Sequence, residues 1–273
     1  MSSTDTQKHT ATRIGTMVVA SGLILLFLIF ITIPLVSLFT RVSPEDFIKA
    51  LSSPLAMDAL WLSTVTATFI TVVVVVLGTP LAYVNARFAY RGRNIVDTLT
   101  DLPIVLPPTV AGLALLMTFG RNGLLGQYLN IFDIQIAFTT IAVVIAQIFV
   151  ASPFYIRQAR SSFEAVDLNF EAASRTLGAT PLQTFFKVTL PLAAGSLLSG
   201  IIMTFARALG EFGATLMFAG NFQGKTQTMP LAIYGELQSD IAISIALAIL
   251  LVVFSFGIIL FVKYIGNRES VYA

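Results

Sequence analysis

Apolar and polar stretches alternate along this chain with a long period. Six apolar runs, at residues 17–39, 59–86, 98–119, 136–155, 193–218 and 241–264, are separated by shorter polar intervals. Each is close to the ~20 residues a helix needs to cross a ~30 Å hydrocarbon layer. The pattern predicts an all-α integral membrane protein with six transmembrane helices. Residues 1–13 are polar and read as a flexible tail; the single His, His9, lies there. Residues 41–58 carry Pro44 and Pro54 and read as a loop with room for one short helix.

Local chemistry modifies individual runs. Trp61 opens the second, where an interfacial anchor belongs, and Gly78 with Pro80 should bend it. The third begins DLPIVLPPTVAG, and Pro103, Pro107 and Pro108 should break it. Irregular backbone at membrane depth survives only against protein or water, so this segment should face the bundle interior. The fourth run carries one strongly polar side chain, Gln147.

The longest polar interval, residues 169–191, reads NFEAASRTLGATPLQTFFKVTLP. Phe170, Ala173 and Leu177 fall on one helical face, and Gly178 supplies a stop. Thr180 and Pro181 open a second short helix with Leu182, Phe185 and Phe186 as its apolar face, and Pro191 should end it. Two short amphipathic helices outside the bilayer are expected.

Composition agrees with the lipid assignment. The 273 residues are 56% hydrophobic and 11% charged, with a mean hydropathy of +0.87; soluble domains carry about 25% charge. A net charge of +2 scattered over loops is no nucleic-acid signal, and the lack of Cys excludes disulfides and thiolate metal sites. The first apolar run is long enough to span and reads as a retained anchor.

Lys and Arg set the expected orientation. Eleven of the sixteen lie on the N-terminal side of the predicted spans, four on the other, and Arg207 falls inside a span. The richer side is cytoplasmic. Both termini and the 169–191 interval should therefore face the cytoplasm.

Within the fifth run, RALGEFG places Arg207 and Glu211 four residues apart, within reach on one helix face. An unpaired charge at mid-membrane costs at least ~2.5–3.5 kcal/mol, so the two should pair. Either this face lines or gates an anion pathway, or the pair fixes helix packing with Gly210 and Gly213 as small contact residues. Thr109 either lines the kinked third span or satisfies backbone beside the prolines. GNFQGKT at residues 220–226 is not a phosphate loop: the required first Gly falls on Ala219, in an external loop. No paired catalytic carboxylates or nucleophile–base set stands out. The chain should not be an enzyme and must draw its energy from elsewhere.

Gly178, Val188, Leu190 and Pro191 meet a spaced pattern: a Gly, nine residues, an aliphatic residue, one more, then Leu-Pro. In this the interval resembles the EAA loop of ABC-importer permeases. The family's Glu stands six residues before the Gly; here that position is Ala172, with Glu171 one place earlier. The resemblance spans residues 59–264 and implies a type I permease-like fold in which this loop is a cytoplasmic coupling helix docked in an ATPase. Transferred by position, the coupling residues are Glu171, Ala172, Ala173, Leu177, Gly178, Ala179, Thr180, Pro181, Phe185, Leu190 and Pro191. The implied division is a tail at 1–16, the first span with its external loop at 17–58, a core at 59–264 holding the coupling loop 159–192, and a tail at 265–273. Also implied are a homodimer in the cell membrane, two ATPase partners holding ATP and Mg, an extracytoplasmic binding protein, and no cofactor on this chain. LPPTVAGLALLMTFGRNGLLG and RALGEFGATLMFAGN with TQTMPLAIY look like permeases of tetrahedral oxyanion importers, molybdate or tungstate first and sulfate or thiosulfate next. An ion-coupled secondary transporter would want inverted repeats and several intramembrane acids, where only Glu211 is found. An intramembrane enzyme would want a cluster of His, Asp, Glu or Ser at depth.

Overall fold

The computed structural model describes residues 3–269, with side chains at 16–262 and 264; the ends of both expected tails, and the side chains of Lys8, His9, Arg13, Lys263 and Arg268, lie outside the described residues. The described residues form helices and loops without strands. Helix α1 covers Ser3–Thr40, so the polar N-terminal stretch continues this helix where a flexible tail was expected. The loop after it contains α2, Pro44–Leu51, with Ser43 accepting from the Asp46 amide as its N-cap. Helix α3, Pro54–Arg87, runs unbroken through Gly78 and Pro80.

The predicted third span is two helices, α4, Arg93–Val105, and α5, Pro108–Phe119, bent by 114°. Pro107 and Pro108 lack the N–H groups that would continue the ladder. A short α6, Gly126–Asn130, leads to α7, Thr140–Ala165. The interval after it holds α8, Leu168–Thr176, and α9, Pro181–Thr184.

The second short helix does not stop at Pro191. A π-helical turn, Phe185–Thr189, joins α9 to α10, Leu190–Leu209, giving one apolar helix from Pro181 to Leu209. Leu190 donates to the Phe185 carbonyl five residues back, and this widened turn carries the chain through the proline. The predicted fifth span also ends early. It breaks at residues 210–212 and resumes as α11, Gly213–Ala219. Helix α12, Met229–Glu236, lies in the next loop, and α13, Ile241–Glu269, closes the chain.

Five helices are long and apolar enough to cross a membrane, and the α4–α5 pair makes six if it counts as one crossing. Helix α7 is the central column. One side packs on α5 and α11 through Ala111, Ala142, Ala146, Ala214 and Phe218; the other packs on α3 and α10 through Ala82, Tyr155, Ala159 and Ala193. Alanines fill these seams because lipid offers no hydrophobic drive, and close van der Waals approach must hold helices together. Ser63 on α3 accepts the Met229 amide at 2.7 Å, anchoring α12. Large apolar side chains such as Leu26, Trp61 and Phe261 are exposed, as a lipid-facing surface requires.

Candidate functional site

The interval at residues 169–191 forms a compact handle at one end of the bundle. Asp167 caps α8 by accepting from Asn169, and Gly178 ends it. Gly178 sits at φ +88°, a conformation L side chains rarely adopt, and no atom lies within 4 Å of where a Cβ would be. Gly178 donates to the Arg175 carbonyl and Ala179 to that of Ser174, the paired bonds of a Schellman stop. Thr180 and Gln183 then cap α9 reciprocally, with Pro181 in its first turn. The Ser174 and Thr184 hydroxyls, 3.2 Å apart, tie the two short helices together.

The handle presents its apolar face away from the bundle. Phe170, Ala173 and Leu177, the apolar face of α8, are exposed, Leu177 to 89%. Leu182 and Phe186 are exposed too. Glu171, the charged residue among them, is the buried one. Its carboxylate accepts from Arg87 Nε at 3.0 Å and from Thr189 Oγ1 at 3.0 Å, and Arg87 Nη2 approaches to 2.8 Å. Arg87 also donates to the Val166 carbonyl. Three parts of the chain meet at this one ion pair: the end of α3, the α7–α8 junction and the π-turn. Phe185 anchors the underside, edge-on to Tyr83 with ring centroids 4.9 Å apart. Ala172 is exposed, while Leu190 is half-buried. Pro191 lies in the first turn of α10.

Arg87 and Thr189 were not singled out by the sequence. An Arg at the end of a span reads as one more inner-side charge, and the Thr sits among apolar neighbours. Only the fold brings both to Glu171.

A second polar layer binds α4 to α7 at the same end. Arg160 holds Asp97 at 2.6 Å and Glu164 at 2.9 Å, and Arg93 reaches Glu164 at 3.1 Å. Asn85 of α3 donates to Asp97. These contacts keep the inner half of the bent pair on the central column.

Deeper in the bundle the two helix breaks meet. A Cβ on Gly213 would lie 2.7 Å from Pro108 Cβ, so the start of α11 rests on the start of α5. One turn further, a Cβ on Gly112 would lie 2.7 Å from both the Ala214 carbonyl oxygen and Met217 Cβ. Only glycine allows that approach.

Arg207 and Glu211 pair as expected, Nη2 to Oε2 at 2.6 Å. Glu211 is 1% exposed, and its Oε1 accepts the Ala214 amide at 2.9 Å, which stabilises the first turn of α11. Arg207 is partly open and lines a cavity of about 90 Å³ with Pro103, Ile104, Leu106, Pro108, Val150 and Phe154. The pair thus joins the two breaks, with Glu211 facing the α11 backbone and Arg207 facing the proline break. Thr109 is exposed at the start of α5.

The proline break is not enclosed by the described residues. Val105, Pro107, Pro108 and Thr109 are all exposed, on a segment expected to face the interior. Gln147 is enclosed, and neither its amide oxygen nor its nitrogen has a partner among the described residues.

A helical bundle that spans the membrane several times, carries broken helices at depth and presents a capped helical handle at one end is the architecture of a membrane permease. Residues 74–271 match the family described as binding-protein-dependent transport system inner membrane component, and the chain belongs to it. It is accordingly a multi-pass transport subunit of an ABC system. Among its relatives is the molybdenum transport system permease protein ModB of Mycobacterium tuberculosis, 44% identical over 226 residues, 83% of this chain and 86% of that protein. The sulfate transport system permease protein CysT of Escherichia coli K12 is 35% identical over 228 residues, 81% and 82% of the two chains. In fold, the chain superposes with a TM-score of 0.74 on a bacterial ABC transporter involved in import of the polysaccharide alginate, at 16% identity and covering 97% and 99% of the two chains.

Proposed function

We propose that this chain is the permease subunit of an ATP-driven, binding-protein-dependent importer of a tetrahedral oxyanion, molybdate or tungstate. Both termini and the handle face the cytoplasm, in keeping with the eleven-to-four excess of Lys and Arg on that side. The observation that carries the coupling role is the exposed apolar face of α8 on a rigidly pinned loop. A patch of Phe170, Ala173 and Leu177 held out from the bundle needs another protein to cover it, and a cytoplasmic ATPase fits. ATP and Mg belong to that partner. When two ATPases close on ATP they carry the handles with them and shift the bundle between its two states through contacts made at this loop.

The exposed proline break supports a homodimer. Irregular backbone at membrane depth needs protein or water beside it. A second copy facing the first across the α5 surface supplies both, with Thr109 and Arg207 beside the shared path. The 44% identity to a molybdenum permease favours molybdate or tungstate; the 35% identity to a sulfate permease keeps sulfate as the second reading. Uptake of labelled molybdate, tungstate and sulfate by vesicles holding the chain, its ATPase and its binding protein is the test. ATP-dependent uptake of the first two over sulfate is expected. Uptake that persists without ATP would refute the class, and sulfate preference would refute the substrate.

A further inference from the structure

An apolar groove of about 700 Å³ opens between α3 and α10 on the handle side of the bundle. Val75 and Val76 form one wall, Leu197 and Ile201 the other, and Phe185 and Phe186 close the handle end. The floor holds one polar spot, the Thr79 and Tyr155 hydroxyls at 2.6 Å, which satisfy each other. At ~30 Å³ per water-sized group this space takes roughly twenty such groups, the bulk of one fatty-acyl chain.

A second cavity of about 510 Å³ adjoins the groove and shares Tyr83, Phe88 and Arg175 as a common wall. Its remaining lining includes Arg87 and Glu171. The two arginines differ in what they have left to give. Arg87 is committed to Glu171 and the Val166 carbonyl. Arg175 is 54% exposed and meets Glu171 only at 3.9 Å through Oε2, at the limit of an ion pair, while Arg87 and Thr189 both engage Oε1. A hydrocarbon slot thus ends, at the membrane edge, beside a cation with little neutralisation.

We propose that the two cavities together hold one anionic glycerophospholipid from the leaflet on the handle side. One of its two acyl chains lies between α3 and α10, the other stays in the surrounding bilayer, and its phosphate meets Arg175. Charge complementarity selects this occupant: an apolar helix from a second copy would fill the groove but leave Arg175 unanswered, and a zwitterionic lipid carries its own cation beside the phosphate. The lipid would abut Phe185 and Phe186, so it bears directly on the handle. The inference rests on the coupling-loop reading for that effect and not for its binding chemistry.

The full chain in nanodiscs tests it. Trp61→Phe removes the sole Trp, and Val76→Trp, at a 62% exposed position on the groove wall, installs a reporter. Brominated phosphatidylglycerol and brominated phosphatidylcholine are each titrated into a phosphatidylcholine background. Quenching should show about a fivefold preference for the anionic lipid, the value of one Arg near the surface. Arg175→Gln should abolish the preference and Arg175→Lys keep it. Equal quenching by both lipids overturns the proposal, as does quenching by neither, which would assign the groove to a second copy. No ATP or ATPase is present, so failure here leaves the coupling reading intact, and failed coupled uptake leaves this result intact.

Discussion

Replacing Arg87 with Ala would strand a carboxylate. Glu171 is 4% exposed, and its close partners are Arg87 and the Thr189 hydroxyl. Removing one member of a buried pair costs about 3–5 kcal/mol, most of it the desolvated charge left behind. Arg175 starts 3.9 Å away and can swing closer, which places the loss near the low end. About 3 kcal/mol corresponds to a ~150-fold rise in the population of handle detached from the bundle. Hydrogen exchange of the α8 amides in nanodiscs reads this directly, and exchange there should accelerate by about that factor. ATPase stimulation by loaded binding protein should fall with it. A double replacement, Arg87→Met with Glu171→Met, removes both charges and should return most of the protection, since buried pairs are often neutral against apolar residues of similar volume. Unchanged α8 exchange in the Arg87→Ala chain would refute the claim that this pair pins the handle.

Three further outcomes are expected. Gly178→Pro cannot adopt φ +88° and removes the donor to the Arg175 carbonyl; the chain should insert and melt near normally while ATP hydrolysis loses its coupling to transport, measured in vesicles. Gly112→Val drives a side chain into Ala214 and Met217, costing about 1–3 kcal/mol; its melting temperature in detergent should drop, while Gly195→Ala, at a site with open space, should not. Arg207→Gln leaves Glu211 buried and unpaired and should destabilise by about 3–5 kcal/mol. Arg207→Met with Glu211→Met should recover the melting temperature yet keep oxyanion uptake about tenfold down, the worth of one charged hydrogen bond. Full uptake by that double variant would make the pair a packing device.

The spans were legible because lipid imposes one demand on every residue of a crossing segment, and mean apolarity reports it. The break at Pro107 and Pro108 was legible for the same kind of reason, since a missing N–H is written in the residue type. The break after Leu209 was not. Arg207 and Glu211 at i, i+4 argue for a continuous helix, and the break coincides with the approach of Gly213 to Pro108, a contact between segments over a hundred positions apart. Pro191 misled in the opposite direction, because a π-turn absorbed the residue that normally ends a helix. On α8 the period correctly grouped Phe170, Ala173 and Leu177. Periodicity tells which residues share a face, but not whether the same chain covers it.

The meeting of the two breaks divides the bundle into storeys. Helices α3 and α7 run through both floors, whereas α5 and α11 occupy only the upper one, locked to each other at Gly112 and Gly213. Locked in this way, the upper pair can shift against the through-columns only as one piece, across the alanine seam it shares with α7. A cross-link between α5 and α11 should leave uptake running, and one between α5 and α7 should jam it.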